Sequence, residues 1–272
     1  MYKNRLITLL ALSAYLLVNF GCSKKNQPEP TIEVSNMVKA IYRGDGDAYY
    51  TLTYHNVKQL TGFVFKPSLN QPNETYSYDG DKITTIITST KKSVINYNTS
   101  GQITKIETRD ASNNHLESSR EYSYNQNGKI SSIDRYQTAG PGSETPILAL
   151  TYTYNYDVNG LITTIIDRDR RTNTDVGKWE ITGYTPAIYF HPVIMDKIIF
   201  GDDFDFVVIG TMTKLPLNIH YQKINATSPY FFTDTYLYST TSSNITSIKI
   251  NSTVTQNGVE NTYDNAPLVF KY

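Results

Sequence analysis

Three carboxylates crowd together at Asp202, Asp203 and Asp205, with Phe204 among them, and oxygen ligands at this density could hold a hard cation such as calcium. The run lacks the glycine and the distal glutamate of a complete calcium loop, so a solvated turn competes with the metal reading. Asp45-Gly46-Asp47 is shorter still of ligands, and Arg43-Gly44-Asp45 reads as a turn. His55, His115, His191 and His220 stand apart without paired spacing, so a zinc site would need the fold to gather them. Asp167 and Asp169 fall on one face of a strand, and Arg168 and Arg170 on the other. That imitates a catalytic carboxylate pair but reads first as an exposed ladder of charge. No nucleophile elbow and no phosphate-binding glycine loop occurs, so the sequence assigns no catalytic residue and no cofactor. What remains is binding. Trp179, Tyr189, Phe204 and Tyr230 are the candidate ligand surface, since an aromatic ring stacks on a sugar face or anchors a protein interface at small entropic cost.

The elements that must position these residues are set by a recurring motif. Tyr-x-Tyr, a polar turn closed by Gly, and Ile-[Thr/Ser]-x-Ile appear at Tyr76 to Ile86, Tyr97 to Ile106, Tyr122 to Ile133 and Tyr152 to Ile165. Weaker copies lie at Tyr54 to Phe63 and Tyr236 to Ile248. Self-similarity of this kind means one supersecondary unit used many times, here a β-hairpin. Asp79-Gly80, Ser100-Gly101, Asn127-Gly128, Asn159-Gly160 and Asn257-Gly258 supply the positive φ that tight reversals need. The 23 tyrosines, with abundant Thr, Ser and Ile, suit a pleated, half-buried surface, and helical periodicity is absent beyond the N-terminal segment. The predicted fold class is all-β: a large antiparallel meander of repeated hairpins in a curled or porin-like, partly barrel-shaped sheet. The isoleucines of each returning arm are three apart. A bulge could reset the alternation, but recurrence in four copies favours apolar groups on both faces, one of them thinly.

The first residues carry Lys3 and Arg5, then the apolar run Leu6 to Val18, then Gly21-Cys22. This reads as a signal peptide over 1–21, too short for a comfortable membrane span, with Cys22 as the lipidated residue and 22–38 as anchor and flexible tether. The single cysteine leaves no intramolecular disulfide. Residues 39–272 then form one β-repeat domain, interrupted at about 179–235 by a non-repeat excursion bearing Pro186, Pro192 and Pro216. Lys plus Arg and Asp plus Glu number 25 each, which gives no electrostatic footprint for nucleic acid. The expected partners are the membrane, through Cys22, and an envelope protein or glycan. The expected location is the cell envelope, at the outer membrane, with the basic Lys24-Lys25 leaning toward the periplasmic face.

The Tyr-x-Tyr-[Asn/Asp]-x-x-Gly-x-Ile-x-x-Ile units resemble the tyrosine-aspartate repeats of Rhs and teneurin-type shells. The whole arrangement, closing near Tyr263-Asp264-Asn265-Ala266-Pro267, more closely resembles Bacteroidota-type lipoproteins with a porin-like fold. The resemblance spans about Tyr42 to Tyr272 and implies architecture, with no catalytic residue to carry over. The reading that follows is a non-enzymatic, lipid-anchored binding or scaffolding module. A carrier of an apolar ligand, an outer-membrane barrel and, less favoured, a hydrolase are the alternatives. Leu268, Phe270 and Tyr272 alternate as barrel strands do, yet the arms carry Lys82, Lys105 and Lys129 where a lipid-facing band would be apolar.

Overall fold

The computed structural model describes residues 37–272 apart from 45, 57–58, 141–142, 144, 199–203 and 242–243. The proposed signal peptide, Cys22, the tether through residue 36, and Asp45, Asp202 and Asp203 lie outside the described residues. The chain opens with β1 (Ala40–Arg43), β2 (Ala48–Asn56), β3 (Gln59–Phe65), β4 (Glu74–Asp79), β5 (Lys82–Ile87) and β6 (Lys91–Tyr97). It continues through β7 (Ile103–Asp110), β8 (Leu116–Tyr124), β9 (Ile130–Thr138), β10 (Pro146–Tyr156), β11 (Ile162–Asp169) and β12 (Thr174–Tyr184). Two short helices follow, α1 (Pro192–Ile198) and α2 (Phe206–Gly210). The chain ends in β13 (Pro216–Lys223), β14 (Tyr230–Thr241), β15 (Asn244–Gln256), β16 (Val259–Asp264) and β17 (Leu268–Lys271).

Every strand pairs antiparallel with its sequence neighbour up to β16, and the ring closes where β1 pairs with both β2 and β17. β16 and β17 share one edge of β15, on either side of the break at Asn265-Ala266-Pro267, so together they occupy one position. The result is a closed 16-strand barrel, which completes the curl the sequence predicts; β16, exposed along its length, pairs on one side only among the described residues.

The turns explain the motif. Asn125 Oδ1 accepts from the amides of Asn127 and Lys129 at 3.0 Å each, and Asp157 Oδ1 from those of Asn159 (2.9 Å) and Leu161 (2.8 Å). Gly128 and Gly160 close these loops at φ +73° and +74°, where a Cβ would be strained. Beyond each glycine the register shifts, as between Ser123 and Tyr124, Asn155 and Tyr156, and Asn96 and Tyr97. This is a β-bulge in every repeat, and it corrects the two-faced sheet expected from the isoleucine spacing. Both isoleucines point inward: Ile130 and Ile133 are 0% and 3% exposed, Ile162 and Ile165 2% and 0%. The threonine displaced by the bulge bonds across the hairpin, Thr104 to the Asn96 carbonyl and Thr163 to that of Asn155, at 3.3 Å each.

The core therefore lies inside the barrel, and the excursion fills it. β12 and β13 are regular members of the ring, so the excursion is narrower than the sequence suggests, and its described residues form the helices α1 and α2 rather than an edge strand. Val193, Ile194, Met195, Phe204, Val207, Val208 and Ile209 are buried among the inward tyrosines and isoleucines. Thr185 and Leu215 exchange hydrogen bonds at the neck, the Leu215 amide to Thr185 Oγ1 at 3.0 Å and the Thr185 amide to the Leu215 carbonyl at 2.9 Å.

Candidate ligand cavity

The plug reaches the wall through ionised groups. Asp205 caps α2, its Oδ1 accepting from the amides of Val207 and Val208 at 3.1 Å each. Its Oδ2 takes the Tyr122 hydroxyl and the Arg120 guanidinium, the latter at 3.3 Å. Lys197 of α1 pairs with Glu74 of β4 at 3.0 Å, and the Glu74 carboxylate also accepts from the Tyr76 hydroxyl. On the turn side, Lys129 Nζ donates to the Thr211 carbonyl at 2.7 Å. Buried charge is tolerated because each is paired and hydrogen-bonded.

Between these clasps and the wall lies a cavity of about 240 Å³. Ser93 (β6), Thr108 (β7), Ser118 and Arg120 (β8) and Arg135 (β9) face it from the wall, and Asp196 and Asp205 from the plug. Burial pushes the Asp196 carboxyl up to about 7, against the opposing pull of Lys197 at 3.7 Å. Burial also holds His191, at the start of the plug, down to about 4. Glu74 and Asp205 are committed to Lys197 and Arg120, so neither stands beside Asp196 as a free partner for acid and base work. A second cavity, of about 380 Å³, opens among the hairpin turns and is lined by Tyr78, Tyr97, Tyr124, Val193 and Val207.

The structure gathers three of the four aromatic candidates. Trp179 points inward, its ring 5.9 Å from Phe204, 4.5 Å from Tyr221 and 5.4 Å from Phe232, and Tyr230 lies 6.3 Å from Tyr221. Phe204 is 1% exposed and belongs to the core rather than to a surface. Tyr189 is elsewhere, bridged to Asn244 and 37% exposed. Asp167 is no part of an exposed ladder: it is buried and accepts from Trp179 Nε1 at 3.1 Å. Arg168 lies outside, paired with Asp175, and the half-buried Asp169 pairs with Arg171, each at 2.8 Å. Gly177 makes room for this cluster, since a Cβ there would stand 2.6 Å from Asp167 Oδ2 and 2.9 Å from the Tyr221 ring. Of the three acidic candidates for a cation, Asp205 is the described one, and its oxygens are taken by the two amides, Tyr122 and Arg120. No group of three or more metal-ligating side chains occurs among the described residues. The sequence reading missed Arg120, Arg135, Asp196 and Lys197, which no motif marks. The one available signal was that Arg120 and Arg135 keep the inward phase of Tyr122 and Ile133.

Fold and cavity define a closed, internally plugged β-barrel of the porin-like kind. A porin-like protein from Bacteroides vulgatus superposes with a TM-score of 0.53 at 14% identity, over 86% of this chain and 98% of that one. A porin-like protein from Bacteroides uniformis matches at 0.38 and 14%, over 86% and 96%. The TcdB2-TccC3-Cdc42 structure matches at 0.32 and 11%, over 79% of this chain and 12% of that one. No protein-family model and no curated protein matches the chain.

Proposed function

We propose that this protein is a lipid-anchored component of the cell envelope whose barrel is a non-enzymatic binding or scaffolding module for an envelope protein or glycan. The observation that carries the reading is an inversion of pore design: the lumen is packed with a helical plug, and ionised side chains stand on the outer face. Lys105 bridges Glu107 (3.1 Å) and Glu121 (3.4 Å) there, Lys178 pairs with Glu180 (2.7 Å), and Lys249 with Asp264 (2.8 Å). A strand that faces lipid needs a continuous apolar band at these positions. Leu268 and Phe270, whose alternation suggested a membrane strand, face the core at 2% and 4% exposure. Photo-crosslinking in intact cells tests the proposal, with probes at the exposed Tyr189 and Tyr263 and the half-buried Tyr230. One identified envelope protein captured reproducibly, or retention on isolated envelope glycan, is the expected result. Neither outcome at any position would overturn it.

The apolar-carrier reading keeps one observation in its favour, the larger cavity lined by Tyr78, Tyr97 and Tyr124. Native mass spectrometry of the purified chain separates the two: a copurifying apolar adduct supports the carrier, and a mass equal to the lipidated chain alone counts against it.

A further inference from the structure

Four cations border the smaller cavity, and three of them are spent. Arg120 is neutralised by Asp205 at 3.3 Å, Lys197 by Glu74 at 3.0 Å and Lys91 by Glu117 at 3.0 Å. Arg135 has no ion-pair or hydrogen-bond partner among the described residues, although it is half-buried and lines the cavity. Its position makes this costly. It stands directly opposite Arg120 on the neighbouring strand, and like charges in opposed positions of a sheet repel. The neighbour on its other side is Leu150, which supplies no counter-charge. Ser93, Thr108 and Ser118 turn their hydroxyl-bearing faces to the same space, with Ser93 and Thr108 in mutual contact at 3.0 Å.

The geometry points to a binding site for a small oxyanion, a carboxylate or phosphate group, held by Arg135 and the hydroxyls around it. A guanidinium offers paired donors that match two oxygens of one such group, and hydroxyls donate to what remains. At about 240 Å³ the cavity falls below the range of roughly 300–1,000 Å³ usual for drug-sized ligands. The guest is therefore a single small acid or the acidic end of a larger molecule. This deepens the binding-module reading and rests on it, naming the chemistry the module recognises.

The test is thermal unfolding and calorimetry of the full chain in detergent, with inorganic phosphate and with glucuronate, against chloride at equal ionic strength. At a hundredfold excess over Kd, linkage predicts that the recognised oxyanion raises the unfolding midpoint by roughly 5–10 °C. Which probe does so distinguishes phosphate from carboxylate. Arg135→Gln is expected to abolish the shift while melting no lower than the parent chain in chloride, because it removes a repulsion. Should that variant fail to fold, Ser118→Ala is expected to reduce calorimetric affinity several-fold. No shift with either probe, or an equal shift in Arg135→Gln, would overturn the site. The crosslinking result would stand apart from either, since its probes lie at residues that do not line this cavity.

Discussion

The tyrosines act singly before they act as a composition. Tyr78, Tyr97, Tyr124, Tyr156, Tyr184, Tyr238 and Tyr272 each donate a hydroxyl hydrogen bond to a backbone carbonyl of the preceding hairpin, at Leu60, Ile83, Ile103, Ile130, Ile162, Pro216 and Ile245. Each repeat is thus stitched to the one before it by a residue of its own motif. Burial raises the Tyr78 and Tyr124 phenols to about 12, so these donors keep their protons throughout the physiological range. Tyr124→Phe leaves the ring and strands one carbonyl, and is expected to cost about 1 kcal/mol in urea unfolding. His191 and Asp196 give a second prediction, because their linkages oppose. His191, depressed from 6.5 to about 4, stays neutral in the fold while the unfolded chain takes up a proton, so its contribution to stability rises with pH over that window. Asp196, raised from 3.8 to about 7, keeps a proton that the unfolded chain has released, so its contribution falls with pH. Each slope approaches ~1.4 kcal/mol per pH unit and they largely cancel between about pH 4 and 6.5. Unfolding free energies measured across that range are expected to climb with pH in Asp196→Asn, to fall with pH in His191→Gln, and to stay nearly flat in the parent.

Among the elements, the hairpin was legible in the sequence because its determinants are local. A glycine at positive φ, an Asn or Asp accepting from amides ahead of it, and tyrosines at alternate positions lie within a dozen residues. The bulge was the harder feature, since Ile-x-x-Ile reads equally as a bulge or as a two-faced sheet until pairing is known. The plug was illegible as structure: α1 and α2 span 7 and 5 residues, too short for a helical period, and they exist through burial inside the barrel rather than through propensity. Between strands successive in sequence, the described pairing is shortest from β3 to β4, where it covers Gly62 with Thr75 and Phe63 with Glu74. By contrast β14 and β15 pair from Tyr230 to Thr241. Amide exchange is expected to appear first along β3 and β4, with Lys197 and Tyr78 as the groups that restrain it through Glu74 and the Leu60 carbonyl. Lys197→Met should speed exchange at that seam about tenfold, the effect of losing ~1.4 kcal/mol of clasp, while leaving β14 and β15 unchanged. Equal acceleration across the whole barrel would show instead that plug and wall open only together.

For the molecule as a whole, the sequence reading and the fold part company over the cavity. Arg120 and Asp205 are far apart in sequence, and nothing local to either announces that the plug brings them together, so the site is a product of topology rather than of motif. The same topology decides how a porin-like barrel meets a membrane. Its exposed large apolar side chains, Val64, Ile87, Ile147, Leu237, Val259 and Tyr263 among them, are scattered over several strands, while the ion pairs of Lys105, Lys178 and Lys249 stand in the wall. Lipid against that wall would strand unsatisfied charge, at about 2–4 kcal/mol for each basic residue near the midplane. Membrane association would then depend on the acyl chains proposed at Cys22 and on nothing in the barrel. Cys22→Ser is therefore expected to leave the barrel folded, by tryptophan fluorescence of Trp179, and to move it from the membrane pellet to the soluble fraction, as an unmodified barrel with a polar exterior should. The parent chain in planar bilayers is expected to show no ion conductance. A Cys22→Ser chain that still sediments with membranes and resists carbonate extraction would mean that the wall itself meets lipid, and the charged ladder would then need another explanation.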